Sequence, residues 1–498
     1  MKRIVKHFFN PLIILFVFCT QAIANGITVS NVSVLPNSNQ VQFDITWDNS
    51  WRSDILQNWD AAWVFVKYRD VDGSWKHLNF TGINNAVPAG YKDSVTADNR
   101  GVFLYRAVSG NGTASLTGVK LGIPAAQAFG VYDLKVFAIE MVYVPTGQFF
   151  AGDRESTNSL ASFVDFTSPA TVNGISAVFA PLVIVSPPFP TGYSNFYCMK
   201  YEISQGAYRD FLNTLTYLQQ TGRTANLPNS PVGTNALTNA TAGRPYIEIA
   251  VPGNSGTNTP AVYGCDANNN NSYNEAADGE WVACNYLNWA DLAAYLTWAC
   301  LAPMTELQYE KVCRGPLQPV GSEFAWGTAQ VASVGYALNN GGFTNEFLTG
   351  LSSNPNEGNA NYLTTNPNPV FNAAVPLRNG IFATATSNRI SSGGSFYGVM
   401  EMSGNLWERV VTIANPEGRA FDGSNGTGNI SSLGFGGFST WPGSGGVNNN
   451  NALGLMYRGG SSNFGSSEMQ VSTRTPSNII TNPDNVRYID QCGRGVRN

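Results

Sequence analysis

Oxygen-rich turns offer the clearest chemistry in this sequence. In the stretch Gly398-Val399-Met400-Glu401-Met402-Ser403-Gly404-Asn405-Leu406-Trp407-Glu408, Gly404-Asn405 tolerates the positive φ that a tight reversal needs, and Trp407 supplies area to bury. Glu401 and Glu408 flank the turn, so carboxylates and free carbonyls could converge on one hard cation. The competing reading is a core tryptophan between two solvated glutamates. A second stretch, Asp266 to Asn274, sets oxygen side chains at alternate positions, Asp266, Asn268 and Asn270, with Asp278 and Glu280 following. It departs from an EF-hand at the sixth position, Asn271 in place of glycine, and at the twelfth, Ala277, so a polar loop bounded by Cys265 and Cys284 is the alternative.

Other chemistries are short of residues. Beyond the N-terminal segment the one histidine is His77, which leaves Ser-His-Asp or Cys-His catalysis without a base near the remaining motifs. No Cys-x-x-Cys pair exists, against a thioredoxin-like site or a zinc ribbon. Arg458-Gly459-Gly460-Ser461 lacks the lysine and spacing of a phosphate loop, and reads as a strand end where Arg458 meets an acid. Arg474, Arg494 and Arg497 are structural candidates, and the basic tail from Arg487 could line a groove.

The elements that position these residues fall into three parts. Residues 1–24 read as an export signal: Lys2, Arg3 and Lys6, the apolar run Leu12 to Phe18, then Ala22-Ile23-Ala24. The run is shorter than a membrane span, so an exported protein without a transmembrane segment is expected, periplasmic, cell-surface or secreted. Cys198, Cys265, Cys284, Cys300, Cys313 and Cys492 follow; an oxidising compartment favours disulfides, with Cys265–Cys284 and Cys300–Cys313 as plausible local pairs. Residues 25–139 look all-β, with Val41, Phe43, Ile45 and Trp47 alternating with polar neighbours and a hairpin turning at Asp72-Gly73. A sandwich of the immunoglobulin kind is expected there. From 140 onward, caps at Ser204, Asn288 and Thr305, the last with Gln308 in a capping box, start three helices amid loops rich in Gly, Asn and Ser. With 12 % charged residues and a net charge of −5, there is no basic surface for nucleic acid.

Seven blocks in register give the chain a resemblance. They are Glu140 to Asp153, Phe196 to Glu202, Asn288-Trp289-Ala290-Asp291 with Tyr295 and Trp298, Pro303 to Glu310, Trp326-Gly327, Gly404 to Glu408 and Arg458 to Ser461. In this order they resemble the formylglycine-generating enzymes, the sulfatase-modifying factors, over about residues 140 to 497. The resemblance implies an α+β, C-type-lectin-like fold with long loops, preceded here by the all-β unit. It also implies calcium at Glu401, Gly404, Leu406 and Glu408, and at a second site beginning with Asn361 and Tyr362. Family members oxidise a sulfatase cysteine with copper held by two cysteines; those positions fall on Phe464 and Met469, neither of them a thiol. Cys492 could replace one only if the fold set a second thiol beside it. A related branch uses three histidines to hold iron, and those are missing.

The expectation is therefore a calcium-stabilised binding or structural module with a degenerate site, and no copper. Trp441, Tyr457, Phe464 and Tyr488 would contact an unidentified protein or glycan. The alternatives are an oxidase with a rearranged thiol site, or a structural part of a surface or secretion machine.

Overall fold

The structure, a computed structural model, describes residues 26–35, 37–125, 133–153, 164–166, 172–175, 183–185, 187–273, 275–366, 375–443, 452–474, 480 and 486–498. The expected export signal lies outside these residues. Strand outweighs helix.

Eight strands open the chain: β1 (Thr28–Leu35), β2 (Gln40–Ser53), β3 (Asn58–Arg69), β4 (Trp75–Leu78), β5 (Tyr91–Val95), β6 (Val102–Arg106), β7 (Gly110–Gly122) and β8 (Leu134–Val144). β2 pairs with β1 and β7, while β3 pairs with β4 and β6 along one edge and with β8 along the other. The alternation read from β2 holds: Val41, Phe43, Ile45 and Trp47 are buried and the residues between them are not. They pack with Leu116 and Val119 of β7 against Ala62, Val64 and Val66 of β3.

β3 is buried on both faces. Successive side chains of a strand point opposite ways, so Ala61, Trp63 and Phe65 enter a second, larger core that continues to the C-terminus. The same ladder carries across. β8 pairs with β9 (Phe196–Met199), β9 with β11 (Gly495–Arg497), and β11 with the two-residue β10 (Ala302–Pro303). Positions 139 and 140, where the sequence suggests a junction, lie side by side within β8, both laddered to β3.

Three helices begin where the caps predict, and a fourth, capped by Thr216, is not among those expected. Ser204 accepts from the Ala207 amide ahead of α1 (Gln205–Leu212), and Thr216 with Gln219 boxes α2 (Tyr217–Arg223). Asn288 with Asp291 and Thr305 with Gln308 box α3 (Trp289–Trp298) and α4 (Glu306–Arg314). Gly315, at φ 64°, ends α4 in a conformation costly for any residue with a Cβ. Among the described residues no helix is long and apolar enough to cross a membrane.

The expected disulfides are absent: Cys198, Cys265, Cys284, Cys300, Cys313 and Cys492 are all free and buried. Cys300 follows the C-cap of α3 at φ 58° with its sulfur 3.6 Å from both ring nitrogens of His77, whereas Cys313 sits in the last turn of α4. His77 is thus a junction residue of β4. Its Nδ1 faces Lys67 Nζ at 3.3 Å, and Lys67 also donates to the carbonyls of Trp298, at 2.7 Å, and Gly428.

Candidate functional site

The Gly-Asn reversal forms as its residue types require, with Gly404 at φ 97° and Asn405 at φ 67°. A Cβ on Gly404 would meet the Asn361 carbonyl oxygen at 2.7 Å, so the turn closes directly on the backbone of the other expected calcium position. Asn405 locks the two together. Its amide donates to Asn361 O at 2.8 Å, while its Oδ1 accepts from Asn361 Nδ2 at 3.0 Å and from the Leu377 amide at 2.9 Å. The two sites expected from sequence are therefore one neighbourhood. Tyr362 is buried beside them, its hydroxyl donating to Ala332 O at 2.8 Å.

Three buried carboxylates surround this turn. Glu202, which the sequence reading placed in a family block without a role, accepts from Asn405 Nδ2 and, at 3.0 Å, from the Leu406 amide. Glu408 is ion-paired with Arg494, whose Nε donates to Oε2 at 2.7 Å and whose Nη2 lies 2.7 Å from Oε1 without forming a hydrogen bond. Glu401 accepts from the Gly380 amide at 2.7 Å on one oxygen, and its other oxygen has no hydrogen-bond partner. Burial pushes the Glu401 carboxyl up to about 7 against the pull of Arg494, and raises Glu202 well above the usual carboxylate range, helped by the neighbouring Glu408 charge. Asn361 Oδ1 is likewise buried without a partner.

A buried oxygen acceptor left unpaired costs about 1–3 kcal/mol, and a hard cation is one way to satisfy it. The free oxygens of Glu401 and Asn361 suit calcium. Glu408 suits it less, because a guanidinium already neutralises it.

The loop after Cys265 is also organised around oxygen. Both oxygens of Asp266 accept backbone amides, from Asn270 at 3.0 Å and Asn271 at 2.8 Å. Asn271 adopts φ 59°, the conformation that the glycine of an EF-hand supplies at this position. Asn268 and Asn270 turn towards Glu275, at 3.3 and 2.8 Å, and Asn268 also reaches Asp278 at 3.2 Å. Glu275 was not singled out from the sequence; its spacing matches no familiar template.

The four aromatic contact candidates separate. Tyr457 and Phe464 flank Trp407, with ring centroids 6.0 and 5.3 Å away, and Phe464 is exposed. Tyr488 is exposed as well. Trp441 is not available: it is 2 % exposed, in tilted ring contact with Trp289 and Phe438, with its indole N–H donating to Ser424 O. The position aligned with the second copper cysteine, Met469, is fully buried beside Phe324, Trp326 and Tyr362. Cys492 does have a thiol-bearing neighbour, since its sulfur and the Cys284 amide both point at Ile203 O, at 3.7 and 2.7 Å. Burial raises both thiols well above their usual range.

The match to known families agrees with the geometry. A model of the sulfatase-modifying factor enzyme 1-like domain matches residues 134–486, more than half of the chain. The chain belongs to that family. The matched region starts at the first residue of β8, the strand shared with the N-terminal ladders. No curated protein matches the chain.

Within the family domain, the arginines expected to be structural are buried and paired. Arg458 lies 3.6 Å from Glu306 and 3.3 Å from Glu310, and Arg474 pairs with the same two glutamates. Arg314 adds Glu310 and Glu323. Burial alone would raise the Glu310 carboxyl, but the guanidinium groups of Arg474, Arg314 and Arg458 hold it down at about 2. Arg487 is bound to Asp291 at 2.8 Å, and Arg494 and Arg497 are buried, so the basic tail lines no open groove.

Proposed function

We propose that this chain is an exported, calcium-stabilised binding or structural module of the formylglycine-generating family, with a degenerate catalytic site. One observation carries the reading: the positions aligned with the copper cysteines are Phe464 and Met469, and every described thiol is buried. Copper(I) needs soft ligands, and a phenyl ring with one thioether is not such a pair. Calcium would be held by Glu401 and Asn361 with main-chain oxygens of Gly404 and Leu406, and by Asp266, Asn268 and Asn270 with Glu275 and Asp278. The unpartnered oxygens of Glu401 and Asn361 support the first site, and the φ of Asn271 supports the second.

The family domain would present Tyr457, Phe464 and Tyr488 to a protein or glycan ligand on a C-type-lectin-like scaffold. The N-terminal unit, read as an immunoglobulin-like sandwich from its two facing sets of strands, would space or dock it.

Elemental analysis of the mature protein, purified without chelator from an oxidising compartment, tests the reading. Calcium without copper, and no oxygen uptake with a cysteine-containing peptide, are the expected results. Stoichiometric copper, or oxygen uptake lost on Cys492→Ser, would reject it in favour of an oxidase built on Cys284 and Cys492.

A further inference from the structure

Between β1 and α1 runs a groove whose floor is one edge of β8. β9 covers that edge only from Met141 to Val144, and the last rung is the Lys200 amide to Glu140 O at 2.9 Å. There the chain leaves the sheet, and Ser204 caps it into α1. Among the described strands, none pairs with Leu134 to Ile139 on this side, although all six residues ladder with β3 on the other. Such an edge presents a row of main-chain donors and acceptors, a template for one more strand.

Two depressions mark the groove. One, of about 400 Å³, is lined by the whole run from Leu134 to Ile139, with apolar walls from Ile27, Phe65 and Trp298. The other, of about 350 Å³, continues it past Ala138 and Ile139 and shares Ile27, Ala207, Asp210 and Tyr295 with the first. Its chemistry differs: Glu140, Asp210, Glu275 and Glu280 line it, and the cation among its described residues is Arg209, already bridged to Asp210 at 2.8 Å and Glu280 at 3.0 Å. Glu140 is 3 % exposed; its Oε2 is held by Lys200 Nζ at 2.9 Å, and its Oε1 has no hydrogen-bond partner.

We propose that this groove binds an extended peptide of a partner protein, added as a strand to β8, with apolar side chains in the first depression and a lysine or arginine side chain in the second. Strand addition takes affinity from main-chain hydrogen bonds and specificity from pockets for alternate side chains, and this groove has both. Six residues at about 3.3 Å each span about 20 Å, so a segment of six to eight residues fills it. The proposal concerns a different surface from Tyr457, Phe464 and Tyr488, and stands whether or not the family site is catalytic.

The probes are two fluorescein-labelled octapeptides of alternating threonine and valine, one with a lysine near its N-terminal end and one with it near its C-terminal end, matching a strand antiparallel or parallel to β8. Their controls carry glutamate in place of the lysine, or N-methyl groups on alternate amides. Fluorescence anisotropy with the full chain should show one of the lysine peptides binding at least tenfold more tightly than either of its controls. Asp210→Lys should reverse the lysine-over-glutamate preference, and Ala207→Phe should abolish binding, both with an unchanged unfolding temperature. Hydrogen exchange of residues 134–139 should slow on peptide addition. Equal binding of a control, no binding of any peptide at millimolar concentration, or a dimer with residues 134–139 already protected without peptide would overturn the proposal.

Discussion

Residues 28–122 and the family domain that follows solve the same problem in opposite ways. In the first region, long ladders satisfy the backbone and most charges stay outside: Lys76 with Asp70 and Arg100 with Asp98 keep substantial exposure, and the buried exceptions, Asp60 and Lys67, lie on β3, where Asp60 meets Lys200 and Lys67 meets the carbonyls of Trp298 and Gly428. In the second, short strands and long loops bring many carbonyls inside, and arginines follow them. Arg314 donates to Phe150 O, Arg494 to Met199 O and Lys200 O, and Arg497 to Cys300 O, each while paired with a carboxylate. A guanidinium carries five donors in a rigid fork, enough to serve a carbonyl and an acid together. Buried charge here substitutes for regular secondary structure.

If that contrast is sound, breaking a buried pair should cost far more than breaking a surface one. Glu310→Leu leaves Arg314, Arg458 and Arg474 short of an anion, and should lower stability by about 3–5 kcal/mol, read as a shift of the urea midpoint. The same group sets an acid limit. Its folded pKa, about 2, lies below the 4.5 of a free glutamate, so its contribution is complete above about pH 4.5 and fades as pH falls towards 2. That contribution is about 3 kcal/mol, and Glu310→Gln should flatten the stability–pH curve in this window.

Chelation sharpens the comparison within the loops. If calcium binds as proposed, free calcium at a hundredfold its dissociation constant adds about 2.7 kcal/mol, and adding chelator should lower the unfolding temperature of the chain. Hydrogen exchange should then quicken in residues 266–278 and 401–408 and stay unchanged in the ladder of β2 and β7. The smallest effect belongs to Lys76→Met: the pair with Asp70 is exposed, and the urea midpoint should not move measurably.

Local signals were legible in the sequence wherever a residue acts on its neighbours. Alternation in β2, the caps at Ser204, Asn288 and Thr305 and the Gly404-Asn405 reversal all depend on contacts within a few residues. Partners far apart in sequence were not legible. Glu202 meets Leu406, Arg494 meets Glu408 and Glu140 meets Lys200, and nothing in their local spacing announces it. Trp441, expected to contact a ligand, is a core residue, because burial is a property of what packs over a residue. The even count of cysteines suggested disulfides, but pairing needs side chains brought within about 4 Å Cβ to Cβ, which spacing along the chain does not supply.

By itself, the sequence determined the family, through motifs whose order and residue types survive any reading of the loops, and the local geometry, through φ preferences and caps. Tertiary structure alone decided three things: that β8 joins the N-terminal ladders to the family domain, that the Asn361 and Gly404 stretches lie against each other, and that no described strand covers residues 134–139 of β8 on the side away from β3. The reason is range. Steric and capping preferences act within a turn or two, whereas ladder pairing, burial and charge neutralisation depend on segments that meet only when the chain has folded.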